Sequence, residues 1–164
     1  MNLIIIIGIL MLSVFIVPVI IIMQKQKRER NKLEKILKEV ESANNIRIDK
    51  HETWRNRLIG VDTSSGKAIL ILKVATGNQT TLVDLHQVSR CEVVKNITAS
   101  EIDSSLQAVK NIKIRFASRD KSKRDQYFVL FDEDIDMDLG SELRIGNMWV
   151  EQFNNLIRVL HKAA

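Results

Sequence analysis

The residues that come closest to a nucleophilic catalytic set are Asp84, His86 and Cys91. A cysteine thiolate can attack an electrophile once a neighbouring imidazole has accepted its proton. The same spacing also fits a simpler structure, in which His86 occupies a turn and Cys91 fills the core as a small apolar residue. The sequence has no glycine-rich phosphate loop, no nucleophile elbow and no His/Cys spacing typical of zinc ligands. We therefore predict a protein with no catalytic residues and no cofactor.

Alternating carboxylates raise the question of a metal site. They are Asp132, Asp134, Asp136 and Asp138. Calcium prefers carboxylate oxygens, but its loop motif needs Gly at the sixth position and Glu at the twelfth. If counting begins at Asp132, those positions hold Met137 and Leu143. We predict an acidic, solvated loop and no metal site, with cation binding by this segment as an open alternative.

Positive charge is concentrated in one short stretch of the chain. Residues 24–38 include seven basic and two acidic residues. Their formal charge of +5 equals the formal net charge of the whole protein. The residues that we call the basic collar are Lys25, Lys27, Arg28, Arg30 and Lys32. A nucleic-acid-binding domain needs its charge on the folded surface that meets phosphates. This distribution instead predicts contact with anionic lipid, or control of membrane topology alone, and no nucleic-acid partner.

A second basic cluster lies near the predicted last strand. Its members are Arg119, Lys121, Lys123 and Arg124. Such a loop can meet a membrane surface or an acidic partner, or it can simply be solvated.

The segment Leu3–Met23, just before the collar, contains no charged residue. As a helix it would be about 31 Å long, which matches a hydrocarbon core of roughly 30 Å. Lys and Arg close to a span favour the cytoplasmic side, so we expect a short N-terminus outside and the rest of the chain in the cytosol. One unpaired cysteine agrees with that compartment. The sequence predicts a single-pass membrane protein in contact with the lipid bilayer.

The collar leads into a predicted helical stalk. Leu33, Ile36, Leu37 and Val40 recur at helical spacing, and the helix should continue to about Ser42. These apolar residues form a short seam, through which a homodimer is a further prediction.

From Ile46 onward the periodicity alternates, which is typical of strands. The predicted strands are Ile46–Ile48, Trp54–Val61, Ala68–Val74, Thr80–Leu85, Val88–Val94, Ile112–Phe116 and Tyr127–Phe131. Ser100 is predicted to cap a short helix with Ile102, Leu106 and Val109 on one face. A longer helix from Arg144 to His161 carries an apolar stripe suited to covering a sheet. The predicted domains are 1–23 (transmembrane helix), 24–44 (stalk) and 45–164 (folded domain).

Two motifs in this order resemble the pleckstrin-homology family. Trp149-Val150-Glu151-Gln152-Phe153 is similar to the family's C-terminal helix, and Trp54-Arg55-Asn56-Arg57-Leu58 is similar to the start of its second strand. The resemblance runs from Ile46 to about Lys162. It implies an α+β fold, in which a seven-stranded antiparallel bent sheet or partly open barrel is capped by a C-terminal helix, with Trp54, Trp149 and Phe153 as structural residues.

The resemblance also implies candidate ligands. The family draws on basic residues of the first two strands and their loop to bind phosphoinositides, which here implies Lys50, Arg55 and Arg57. The departure from the family is that only His51 and Glu52 separate the two predicted strands, so little loop remains to hold a headgroup.

The function predicted from the sequence is a membrane-anchored, non-enzymatic interaction module, an adaptor or assembly subunit that binds protein partners at the cytosolic face. A sensor of anionic lipid headgroups is the first alternative. An enzyme that uses Cys91 and His86 is the second.

Overall fold

A computed structural model of the protein describes residues 3–74, 76–99 and 107–163. Its helices are α1 (Leu3–Asn44) and α2 (Glu142–Ala163), and a 3₁₀ turn covers Leu85–Gln87. Its strands are β1 (Lys50–Trp54), β2 (Arg57–Asp62), β3 (Lys67–Val74), β4 (Gly77–Asp84), β5 (Val88–Ala99), β6 (Gln107–Ser118) and β7 (Gln126–Asp132).

The strands form two antiparallel sheets. One has the order β1-β2-β3-β4 and the other the order β5-β6-β7. The prediction of an α+β fold with seven antiparallel strands and a C-terminal helix is confirmed, and this arrangement is compatible with a pleckstrin-like fold. The described strands do not close into a barrel.

The first hairpin differs from the prediction. Ile46–Ile48 is not a strand, and His51 and Glu52 lie inside β1 instead of in a loop. The chain turns at Arg55 and Asn56, so that Trp54 pairs with Arg57. Arg55 adopts a positive φ of 47°, which β-branched and bulky residues rarely do. The sequence predicts an unbroken strand from Trp54 to Val61, because neither Arg55 nor Asn56 is a glycine that would indicate a turn.

The predicted short helix is also wrong where the structure can be compared with it. Val109 belongs to β6, which pairs with β5 along most of its length. Ser100, Ile102 and Leu106 lie outside the described residues.

The main core lies between the two sheets and α2. Trp54, Trp149 and Phe153 are buried there, and Phe153 lies beside Phe116 and Phe128 with ring centroids 5.5 and 6.3 Å away. The indole N–H of Trp149 donates to Glu52 Oε2 at 3.1 Å. The apolar stripe of α2 therefore covers the open side of the sheets, as an amphipathic helix should.

A second core lies on the opposite face of the first sheet. Leu33 and Leu37 of α1 pack there with Leu58, Ile69 and Ile71, so that β2 and the middle of β3 are buried on both faces. The segment before β1 adds Ile46 and Ile48. A Cβ on Gly60 would lie 2.6 Å from Ile48 Cγ2, which shows how closely this segment approaches the sheet. The predicted stalk is therefore packed on the sheet, with Leu33 and Leu37 of its apolar seam buried and Ile36 and Val40 partly buried.

Helix α1 is continuous for 42 residues from Leu3. Within the part of the chain that the structure describes, no helix has an apolar stretch long enough to cross a membrane. The side chains of residues 1–10, 12 and 13, which form half of the predicted span, lie outside that description.

Candidate functional site: a basic cleft beside the first hairpin

A cleft of about 810 Å³ opens between α1 and the turn that joins β1 to β2. The residues that line it are Met23, Lys25, Gln26, Lys27, Glu29, Arg30, Thr53, Trp54, Arg55 and Asn56. One wall therefore comes from the basic collar and the other from the hairpin that contains the three predicted headgroup ligands, of which Arg55 lines the cleft. Sequence reasoning singled out both segments but gave no signal that they would face each other.

The lining of the cleft is positively charged. It includes the four cations Lys25, Lys27, Arg30 and Arg55 and the single carboxylate Glu29, a formal sum of +3. Arg30 pairs with Glu34 on the same helix at 3.2 Å. Lys25 and Lys27 form no ion pair with any described side chain. An acidic group is the ligand that this lining favours.

Glu29 fixes the helix wall of the cleft to the sheet. Its carboxylate pairs with Lys73 at the end of β3 and accepts a hydrogen bond from Lys32 at 2.9 Å. These hydrogen bonds, the one from Lys73 first, lower the pKa of Glu29 to about 2. Glu29 is therefore ionised at neutral pH.

Arg55 links the hairpin wall to the loop between β7 and α2. Its Nη1 donates to the carbonyl of Asp138 at 2.8 Å, and its Nη2 lies 3.2 Å from Asp138 Oδ1. Its Nε lies 3.2 Å from Oε1 of the buried Glu142, at an angle that does not form a hydrogen bond. Gly140 permits this approach, since a Cβ there would stand 2.8 Å from Arg55 Nη2. About a third of the Arg55 side chain stays exposed.

Arg57 is not available to a headgroup, which corrects the expectation drawn from the family. Its side chain is fully buried and forms a bidentate ion pair with Asp136, at 2.8 and 2.7 Å. Lys50 is exposed, but it lies opposite Val61 in the β1–β2 register, at the end of the hairpin away from the turn. Lys50, Arg55 and Arg57 therefore do not form one site.

Three of the alternating aspartates at the end of β7 and in the loop after it bind groups of the protein itself. Asp136 and Asp138 pair with Arg57 and Arg55, and Asp132 Oδ1 accepts from the amide of Asp134 at 3.2 Å. Over the described residues, which include all of 132–138, no group of three acidic, histidine or cysteine side chains is placed to hold a metal ion.

The second basic cluster lies at the other end of the fold. Lys123 Nζ donates to Gln87 Oε1 at 3.0 Å, and the amide of Arg119 donates to the Gln87 carbonyl at 2.8 Å. Gln87 follows the end of β4, whereas the cleft lies near the β3 end that Lys73 marks. The cluster and the basic collar are thus separate surfaces.

Cys91 and His86 do not form an activated pair. Burial raises the pKa of the Cys91 thiol to about 12, so the thiol is protonated at neutral pH. Its backbone is held by Asn154 of α2, which donates to the Cys91 carbonyl at 2.9 Å and accepts from its amide at 2.8 Å. His86 is exposed on the 3₁₀ turn.

Comparison with known proteins identifies no relative of this chain: no family model, no curated protein and no solved structure matches it.

Proposed function

We propose that the protein is a membrane-anchored, non-enzymatic interaction module, and that the cleft beside the first hairpin is where it holds an acidic segment of a protein partner. The observation that carries the proposal is the sum of +3 on the cleft lining, which includes the exposed Lys25 and Lys27. Ion pairs hold both walls in place, Glu29 with Lys73 on the helix side and Asp138 with Arg55 on the hairpin side, so that a ligand meets a largely formed site.

The membrane anchor in this proposal is the uncharged segment Leu3–Met23. Its support is the length and composition of the segment, together with the basic collar that follows it. In this arrangement the N-terminus lies outside and the sheets lie in the cytosol. Recovery of the full chain in the soluble fraction after gentle lysis, or digestion of its C-terminal part from outside intact cells, would contradict the anchor.

For the folded part we propose kinship with pleckstrin-homology domains. Seven antiparallel strands precede a C-terminal helix that buries Trp149 and Phe153, which is the order of that family. The docking of α1 on the outer face of β2 and β3 is the feature that adds a cleft to this arrangement.

Photo-crosslinking in cells tests the partner. A photoreactive residue in place of Gln26, which lines the cleft, should yield a protein adduct, whereas one in place of Asn31, exposed on the same helix, should not. The charge reversals Lys25→Glu and Lys27→Glu together should abolish the adduct. Lys35→Glu with Lys38→Glu changes the helix charge equally but away from the cleft, and should leave the adduct intact. An adduct that survives the first pair would refute the proposed site.

Sensing of an anionic lipid headgroup is a second candidate, because Met23, the last residue of the apolar segment, lines the same cleft. The same experiment separates the two functions. Phospholipid adducts at position 26, sensitive to Lys25→Glu with Lys27→Glu, would establish the sensor instead of the adaptor. Titration of the full chain in zwitterionic nanodiscs with a water-soluble inositol phosphate would then measure the headgroup contribution.

A further inference from the structure

The loop between β7 and α2, residues 133–141, buries one of its carboxylates and exposes three apolar side chains. The side chain of Asp136 is 5% exposed, whereas Ile135 and Leu139 are about half exposed and Met137 is 101% exposed. The other carboxylates of the loop are exposed, as in Asp138 with 77% of its side chain accessible, so the unusual feature is the exposure of three apolar side chains in one loop.

The exposed apolar residues are concentrated in this loop. The described large apolar residues that are exposed after Met23 are Ile97, Tyr127, Ile135, Met137, Leu139 and Val159. Half of these six lie within five consecutive positions. Contiguous exposed apolar groups mark interaction surfaces, whereas isolated ones need no explanation.

The conformation of the loop is held by hydrogen bonds and ion pairs. The amides of Ile135 and Asp136 donate to the Asp132 carbonyl at 3.0 and 2.8 Å, and the Asp136 carboxylate accepts from the Asp132 amide at 2.9 Å. Two arginines of the first hairpin hold the loop: Arg57 of β2 pairs with Asp136, and Arg55 of the turn pairs with Asp138. The outward position of Met137 therefore follows from fixed contacts around it.

Arg55 places this loop at the end of the fold where the apolar segment of α1 finishes. Arg55 lines the cleft opposite Met23 and Arg30, and the same side chain bonds Asp138. Met23 and Arg30 are separated by about 10 Å along the helix axis. The headgroup layer on each side of a bilayer is roughly 5–8 Å thick, which is half the difference between the total and the hydrocarbon thickness. A cleft that extends from Met23 to Arg30 therefore covers the depth of that layer.

We infer that Ile135, Met137 and Leu139 insert into the interfacial layer of the bilayer that holds α1, as a second membrane contact of the folded domain. This inference rests on the proposed anchor, Leu3–Met23. Most carboxylates of the loop are neutralised by ion pairs: Glu133 with Lys110, Asp136 with Arg57 and Asp138 with Arg55. The apolar side chains can therefore enter the interface without several unpaired charges beside them.

Site-specific fluorescence on the full chain in vesicles tests the inference. Met137→Cys is labelled with an environment-sensitive dye, since Met137 is fully exposed and its replacement removes no core contact. Lys121→Cys is the matched control, because it is exposed in the loop that contacts Gln87, at the opposite end. The native Cys91 is buried and protonated, so it should not take the label.

The expected result is a blue-shifted emission at position 137 and loss of its intensity with brominated lipid, with neither change at position 121. Equal, water-like emission at the two positions in a chain that floats with the vesicles would overturn the loop contact alone. A chain that does not float with the vesicles would overturn the anchor. A blue shift that increases with protein density and resists brominated lipid would show that another protein covers the loop, and would also overturn the inference.

Discussion

Arg57 and Asp136 form a bidentate ion pair in the interior, with nitrogen–oxygen distances of 2.8 and 2.7 Å and both side chains almost fully buried. The Arg57 Nη1 also donates to Asn56 Oδ1 at 2.8 Å, and its Nε donates to the Val129 carbonyl at 3.3 Å. This pair joins β2 to the loop after β7. The loop that we place at the membrane thus depends on an arginine whose sequence motif first indicated a lipid ligand.

Removal of one partner of this pair should be costly. Asp136→Asn is expected to lower the free energy of unfolding by about 3–5 kcal/mol, because it leaves the Arg57 charge buried and uncompensated. Chemical denaturation of the full chain in detergent measures the change. Arg30→Ala, which breaks the exposed pair with Glu34, should cost no more than about 0.5 kcal/mol. Similar losses in the two variants would contradict the burial of Arg57.

The packing of α1 on the sheet predicts a difference between two neighbouring positions. Leu33→Ala should lower the free energy of unfolding by about 2–5 kcal/mol, since Leu33 has no exposed surface. Lys35→Ala, exposed on the same helix, should change it by less than about 0.5 kcal/mol. Equal stabilities by urea denaturation would mean that α1 projects from the fold as a stalk.

Trp149 tests the main core. Trp149→Ala should cost roughly 3–5 kcal/mol and remove the sharp unfolding transition, because the ring lies 5.4 Å from Phe153 inside the core. Trp149→Phe keeps an aromatic ring and loses the hydrogen bond to the Glu52 carboxylate, which is worth about 1.5–3 kcal/mol. Thermal scans by near-ultraviolet circular dichroism distinguish the two. A sharp transition in Trp149→Ala would count against this packing.

The hydrogen bonds of the Asp62 carboxylate predict that the protein loses stability in acid. Burial would raise the pKa of Asp62, but hydrogen bonds from Ser64, the Arg47 amide and Ser65 outweigh it and hold that pKa below its ordinary value of 3.8. A lowered folded-state pKa contributes stability that is fully present above the unfolded pKa and is lost as the pH falls through the folded pKa.

The free energy of unfolding should therefore decrease as the pH is lowered below about 4, and Asp62→Asn should remove that part of the decrease. Urea denaturation at a series of pH values measures it. Asp134→Asn, an exposed carboxylate of another loop, serves as the control and should keep the wild-type slope. An unchanged slope in Asp62→Asn would show that other groups cause the acid sensitivity.

Cys91 should be unreactive while the protein is folded. Since burial raises the pKa of its thiol to about 12, a thiol reagent at neutral pH should modify it only after unfolding in denaturant. Absorbance of the released thiolate measures the rate in both states. Fast modification of the folded chain would restore the enzyme alternative that pairs Cys91 with His86.

The sequence determined those features that depend on local periodicity. Alternating residues predicted the strands, and the stripe that contains Trp149 and Phe153 predicted α2, because a helix or strand repeats its buried face at a fixed spacing. The charge sum between residues 24 and 38 likewise needs no coordinates. The apolar run Ala68–Leu72 could also have indicated that β3 is covered on both faces, although the sequence did not show that α1 is the cover.

Only the tertiary structure decided which charged and apolar groups meet. Arg55 and Arg57 are two residues apart and were assigned one role, yet one lines the cleft and the other is buried with Asp136, 79 positions away. Local spacing constrains the direction of a side chain, whereas its partner is chosen by how sheets and helices pack. The acidic loop after β7 is largely solvated, as its sequence indicated, and only the structure shows that Asp136 is buried against Arg57 while Ile135, Met137 and Leu139 are exposed.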